Sequence, residues 1–214
     1  VQITVVHGST VATNAVLERK GARVALFATG GFEDVLRIGR QTRPQLYNLF
    51  VPVPRAIVES DLTFGVGERV DATGDVLIVP DDGEVDRLAV LAREQRADII
   101  AVCLLHSYVN PAHERRVAER LRHAGWRVSA SHEVLPEYRE FERWSTTVVN
   151  AYVMPLIDRY LSTLERHFEG SRFAVMQSNG GSISAAAGRA GAVRTVLSGP
   201  AAGVVGARAV ARDA

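Results

Sequence analysis

The stretch from Ala97 to Ser131 constrains the fold most. ADIIAVCLLHSY (97–108) is a near-continuous apolar run and reads as a strand buried on both faces. Asn110 and Pro111 follow as an N-cap and a first helical residue, opening a helix over 111–124. Gly125 stops that helix, and WRVSAS (126–131) is the next strand. A strand–helix–strand run of this kind implies parallel pairing through a right-handed crossover.

The rest of the chain repeats the theme. Residues 2–6 form a buried strand, HGST follows, and VATNAVLERK makes a helix that Ser9 or Thr10 caps and Gly21 closes. RVALFA (23–28) is a strand that turns through Thr29-Gly30-Gly31 into a short helix. Residues 40–60, with Pro44, Pro52 and Pro54, read as an irregular surface excursion, and 44–54 is a candidate partner contact. Residues 62–79 read as one hairpin around Asp71-Ala72-Thr73-Gly74. Pro80-Asp81-Asp82 caps a helix over 83–96. The pattern is helical from Tyr138 to Glu169, with Pro155 as a kink or break. RFAVMQS (172–178) is a strand ending in NGG. VRTVLSGP is a short strand ending in Ser198-Gly199-Pro200, and a final helix follows. The class is α/β: a mixed, mainly parallel sheet with flanking helices and a β-hairpin excursion.

Composition removes several functions. Lys+Arg is 25 against Asp+Glu 24, a net charge of +1, so there is no case for a nucleic-acid partner. No apolar run approaches the roughly 18 residues of a membrane span. The single cysteine, Cys103, allows no internal disulfide, fits a reducing cytoplasm, and lies in an apolar strand as a core residue. The first residues read as mid-sheet and the last as mid-helix, so the sequence is expected to be a piece of a longer protein. Its cut edges would permit homo-oligomers.

Three strand ends carry small and polar residues: His7-Gly8-Ser9-Thr10, Gln177-Ser178-Asn179-Gly180-Gly181 and Ser198-Gly199-Pro200-Ala201-Ala202-Gly203. All three read as strand-to-helix transitions. Open α/β sheets bind ligands beyond the carboxyl ends of their strands, and glycines there let the main chain approach an anion. Each motif alone is an ordinary steric turn; a shared crevice explains the three together. Other candidates are weaker. His106 and His113 lack a third ligand, and His132-Glu133 lacks a second histidine at zinc spacing, so no metal site is expected. Arg139, Glu140, Glu142 and Arg143 read as a solvated helix face. Ser178 and Ser198 have no GxSxG elbow, and neither a P-loop nor a dinucleotide fingerprint is present.

The segments VVHGSTVATNAVLERKGARVALFATGGFEDVLRIGRQTRPQLYNL, AVCLLHSYVNPAHERRVAERL, PEYREFERWSTTVVNAYVMP, MQSNGG and LSGPAAGVVGA resemble, in order, the amino-terminal region of the hydantoinase A / 5-oxoprolinase family. The ATP-using subunit of acetone carboxylase belongs to the same superfamily. The resemblance implies an actin-like ATPase fold of the sugar-kinase/Hsp70 type. It implies ATP- and Mg-dependent hydrolysis of a cyclic amide such as a hydantoin, N-methylhydantoin or 5-oxoproline, through carbonyl phosphorylation, and a hydantoinase B-type subunit or fused domain as partner. The family's two acidic, Gly-rich phosphate-gripping hairpins, GxDxGGTFTD before HGST and DMGGTSTD after SGP, lie outside this stretch. The isolated piece is therefore expected to be inactive and to bind neither ATP nor Mg. Residues 1–170 correspond to the family's amino-terminal domain and 171–214 to the start of the hydantoinase A domain. Loop position assigns His7, Thr10 and Asn179 to catalysis. It assigns Gly8, Ser9, Asn14, Gln177, Gly180, Gly181, Ser198, Gly199 and Pro200 to the substrate and nucleotide cleft. The alternatives are a non-catalytic regulatory or assembly module and an ATP-dependent carboxylase subunit.

Overall fold

The computed structural model describes residues 4–213 except 43, 44, 46, 49 and 51–55. Pro44, Pro52 and Pro54, and with them most of the candidate contact 44–54, lie outside the described residues. The chain divides into two compact units, residues 1–22 with 152–214, and residues 23–151. In chain order the elements begin with β1 (Thr4–His7), α1 (Val11–Leu17), β2 (Val24–Thr29), α2 (Val35–Ile38), β3 (Thr63–Val66), β4 (Arg69–Val70), β5 (Val76–Ile78) and α3 (Asp82–Glu94). They continue with β6 (Ile99–Cys103), α4 (Ala112–His123), β7 (Val128–Ala130), α5 (Ser131–Val134), α6 (Glu140–His167), β8 (Arg172–Met176), β9 (Ser182–Ser184), α7 (Ala185–Ala190) and α8 (Ser198–Asp213).

The unit 23–151 is built on a fully parallel sheet in the order β3-β2-β6-β7. Every residue of β2 and β6 is buried, as their unbroken apolar runs require of strands covered on both faces. The predicted crossover is β6–α4–β7. The helix starts at Ala112, with Pro111 in the cap position, and Asn110 Oδ1 accepts from Ala112 N–H at 3.1 Å. Asp81 caps α3 as expected, its Oδ1 accepting from Glu84 N–H at 2.7 Å. The single hairpin read over 62–79 is corrected. Residues 63–66 leave it to pair in parallel with β2, where Phe64 stands opposite Phe27 with ring centroids 5.5 Å apart. Only β4 and β5 form the antiparallel hairpin, closed by Asp71, whose Oδ1 accepts from Thr73 N–H and Asp75 N–H.

Buried polar groups tie the strand ends of this unit together. Glu114, fully buried, accepts from Leu104 N–H (2.7 Å), Ser131 Oγ (2.9 Å) and His132 N–H (2.7 Å), and pairs with His132 Nδ1 (2.8 Å). Glu68 pairs with His113 Nδ1 at 2.8 Å and accepts from Thr29 Oγ1, which in turn accepts from Leu105 N–H. The solvated-face reading of the 139–143 cluster fails for Arg143. It is buried and donates to Leu104 O (2.8 Å) and Glu137 O (3.2 Å), carbonyls that replace its water.

The unit 1–22 with 152–214 holds the sheet β1-β8-β9, with β1 and β8 parallel and β8 and β9 antiparallel. Residues 152–167 of this unit belong to α6, which is continuous from residue 140 to 167 with Pro155 inside it, so the proline does not break it. Gly21 is not the helix-closing residue: Arg19 takes the left-handed conformation (φ 57°). Gly21 is held glycine by packing, because a Cβ there would lie 2.2 Å from the Tyr152 ring. VRTVLSGP forms no strand. It runs as a 3-10 turn over Ala192–Thr195 and passes directly into α8. The single sheet expected from sequence is thus two sheets plus a hairpin, within the α/β class. No helix among the described residues is long and apolar enough to cross a membrane.

Candidate functional site

All twelve cleft and catalytic candidates fall in the unit 1–22 with 152–214. The pairing of His7 with Val175 sets the ends of β1 and β8 level, so the turns after them emerge at the same edge of the sheet. The first turn is locked to the start of α8. Ser198 Oγ donates to Ser9 O at 2.9 Å and accepts from Ser9 N–H at 3.2 Å. Ser9 Oγ in turn accepts from Val11 N–H at 3.1 Å and starts α1. The two segments meet with no room for a side chain at either glycine. A Cβ on Gly8 would stand 2.5 Å from Ala202 Cβ, and one on Gly199 would stand 2.9 Å from Thr10 Cγ2. Leu197, in a left-handed conformation (φ 63°) just before α8, donates its N–H to Thr13 Oγ1 at 2.9 Å. Pro200 sits in the first turn of α8, where a missing N–H costs nothing. Asn14 Nδ2 lies 3.5 Å from Thr10 Oγ1.

The second turn differs from the sequence expectation. It joins β8 to β9 as a hairpin and does not open a helix. Gly180 supplies the positive φ (83°), and the Asn-Gly pair is the ordinary signal for such a turn. Three of its amides bond within the turn: Gln177 N–H donates to Gly181 O, Gly180 N–H to Gln177 O, and Gly181 N–H to Asn179 Oδ1. What the turn presents outward are the side chains of Gln177, Ser178 and Asn179, which with Arg194 line a cavity of about 180 Å³.

His7 turns from the other candidates toward α6. Its Nε2 lies 2.7 Å from Tyr160 Oη, with ring centroids 5.7 Å apart, and Phe173 stands at 6.4 Å. Partial burial holds the His7 imidazole below its usual range, which favours the neutral ring. Tyr160 and Arg194 were missed in the sequence. Tyr160 sits mid-helix with nothing local to mark it. Arg194 is one of two arginines, with Arg189, between two Gly-rich turns, and a cation in that position is the signal that could have found it.

Comparison with known proteins settles the relationship. Residues 3–125 match the model of the hydantoinase/oxoprolinase N-terminal region, and residues 143–214 match that of hydantoinase/oxoprolinase. The chain belongs to the hydantoinase/oxoprolinase family. It is 39% identical to 5-oxoprolinase 1 of Arabidopsis thaliana over 93% of its own length and 17% of that protein's. It is 35% identical to caprolactamase subunit alpha of Pseudomonas jessenii over 92% of its length and 29% of that protein's. The crystal structure of the ATP-dependent caprolactamase from that organism superposes with a TM-score of 0.84 at 34% identity, covering 92% of this chain and 30% of that one. Nucleotide-free acetone carboxylase, from work on ATP-dependent acetone carboxylation, superposes at 0.86 with 31% identity, covering 98% and 32%. The chain therefore spans a third or less of the length of these family members.

Proposed function

We propose that the full-length protein is an ATP-dependent hydrolase that opens a cyclic amide of the hydantoin or 5-oxoproline kind. The supporting observation is the meeting of the HGST, QSNGG and SGP turns at one edge of the β1–β8 sheet, in a chain of this family. An amide oxygen is a poor leaving group; ATP, when bound, supplies the phosphoryl group that makes it a good one. The chain's own residues then have positioning roles. Gly8, Ser9, Ser198 and Gly199 form a rigid floor. Thr10 and Asn179 orient the substrate by hydrogen bonds. His7, turned toward α6 and bonded through Nε2 to Tyr160, is the candidate proton acceptor of this unit.

The donors fit a phosphoryl group. Hydroxyls, side-chain amides and a guanidinium surround the turns, and among the described residues no carboxylate lines the 180 Å³ cavity. Among the described residues that line this cavity there is no carboxylate to hold magnesium, so these donors do not place the metal there. Magnesium ligands, part of the substrate pocket and a B-type partner subunit are assigned to polypeptide beyond this stretch, and the stretch alone is expected to be inactive. The test is His7→Ala and Asn179→Ala in the full-length protein, with ATP-dependent ring opening followed directly. A fall of about 10²-fold or more is expected for a lost acid–base group; unchanged rates in both variants would remove these residues from the site. The acetone carboxylase likeness supports a second reading as a carboxylase subunit. Bicarbonate-dependent ATP turnover without ring opening would select it.

A further inference from the structure

We infer that Arg194, Ser178 and Asn179 form an oxyanion notch that takes a phosphate group. Among the described residues, the cavity they line with Gln177 has one guanidinium, one hydroxyl and two side-chain amides around about 180 Å³, and no acid. Arg194 is placed by its backbone, whose N–H donates to Gly191 O at 3.0 Å and whose carbonyl accepts Ser178 N–H at 2.9 Å. That second bond fixes the arginine to the β8–β9 hairpin. Its stem has room because Gly191 lacks a Cβ, which would lie 3.3 Å from Arg194 Cδ. Among the described residues the Arg194 guanidinium forms no ion pair, whereas nearby Arg189 is paired with Glu165 and Asp158. Asn179 Oδ1 is committed to Gly181 N–H at 2.9 Å, so Nδ2 is the end of that amide left to donate outward.

A cation with two neutral donors recognises an oxyanion through charge-assisted hydrogen bonds. Phosphate offers an acceptor oxygen to each of the three donors; a carboxylate has only two oxygens. The notch deepens the proposed function, since it would hold either a nucleotide phosphate or the phosphate released from it. Its meaning for the reaction rests on that reading, but its existence does not.

The test is titration of inorganic phosphate into the protein, followed by the backbone amide resonances of Ser178, Asn179 and Gly180, with ATP and acetate in parallel. Saturable phosphate binding is expected, with acetate weaker. Arg194→Gln leaves the backbone bonds in place and should weaken phosphate binding about tenfold to a hundredfold, the loss of a hydrogen bond to a charged group. Asn179→Asp keeps the acceptor for Gly181 N–H but sets a negative charge in the notch, and should weaken binding at least as much. Arg208→Gln, which removes an equal charge from exposed α8, should change nothing. Shifts of the same amides by ATP would make a nucleotide the source; shifts by inorganic phosphate alone would make released phosphate the source. Absence of saturable phosphate binding, equal affinity in Arg194→Gln, or an equal loss in Arg208→Gln would overturn the notch. Phosphate binding that survives in a full-length protein lacking ATP-dependent ring opening would sink the proposed function and leave the notch standing.

Discussion

The contact between Gly8 and α8 can be tested quantitatively. In Gly8→Ala the new methyl would stand 2.5 Å from Ala202 Cβ and 3.1 Å from Ser198 O. Ordinary carbon–carbon contact begins near 3.5 Å, so α8 must retreat by about an ångström. That retreat strains the reciprocal Ser9–Ser198 hydrogen bonds at 2.9 and 3.2 Å. Overpacking alone costs about 1–3 kcal/mol, and each weakened hydrogen bond adds up to about 1 kcal/mol. Ala202→Gly removes the opposing methyl at a helix-propensity cost of about 1 kcal/mol. The double variant should therefore be more stable than Gly8→Ala alone, with a coupling energy of about 2 kcal/mol. The probe must be chosen with care. Both tryptophans, Trp126 and Trp144, lie in the unit 23–151, so fluorescence is blind to this contact. Native-state exchange of the Ser9 and Leu197 amides, bonded to Ser198 and Thr13, reports it directly. Unchanged exchange in Gly8→Ala, or no rescue by Ala202→Gly, would refute the close approach.

The remaining predictions concern titration, burial and reactivity. Burial lowers the His7 pKa in the folded protein, so the unfolded chain takes up the proton more readily. The stability of the unit 1–22 with 152–214 should be complete above about pH 6.5 and decline as pH falls below it. The His7 ring resonances should titrate below 6.5, and a titration at or above that value would contradict the burial. Glu114→Ala strands Leu104 N–H, Ser131 Oγ and His132 in the interior and should cost about 3–5 kcal/mol in urea unfolding followed by Trp144 fluorescence. A loss under about 1 kcal/mol would mean that water reaches the cluster. Burial, with the Glu114 charge adding to it, pushes the Cys103 thiol well above its usual range. The folded protein should not react with an aromatic disulfide reagent until urea exposes the thiol, and rapid labelling of the native state would overturn its place in the core.

What the sequence reveals of this fold follows the range of the interactions involved. β2 and β6 were legible because each is an apolar run whose burial is a local property. The Asp81 cap and the Asp71 turn were legible because a short polar side chain bonds to its own backbone within a few residues. The errors fall where a distant partner decides. Thr63–Val66 has the alternation of a hairpin strand, and the partner that takes it, β2, lies more than thirty residues earlier. Arg143 looks solvated in a run of charges until Leu104 O and Glu137 O replace its water. The Asn179-Gly180 pair carries a hairpin signal, but its place after an apolar segment makes it look like the other two Gly-rich turns.

The candidate site shows the same division more sharply. Its residue types could be picked out because small and polar side chains crowd three strand ends. The register that levels His7 with Val175 spans more than 160 residues, and no local pattern encodes it. One trace of that register does survive in the sequence. Gly8 and Gly199 are both glycine because the HGST turn and the start of α8 approach closely, each glycine facing a side-chain carbon of the other segment, so neither glycine is explained by its own neighbourhood. Arg194 follows the same logic in reverse. Its carbonyl is bound by the hairpin it serves, so the bond that shapes the β8–β9 turn also delivers a cation to the cavity. Structure and binding are therefore coupled here through a main-chain hydrogen bond. A substitution that spares that bond and changes only the guanidinium can separate them.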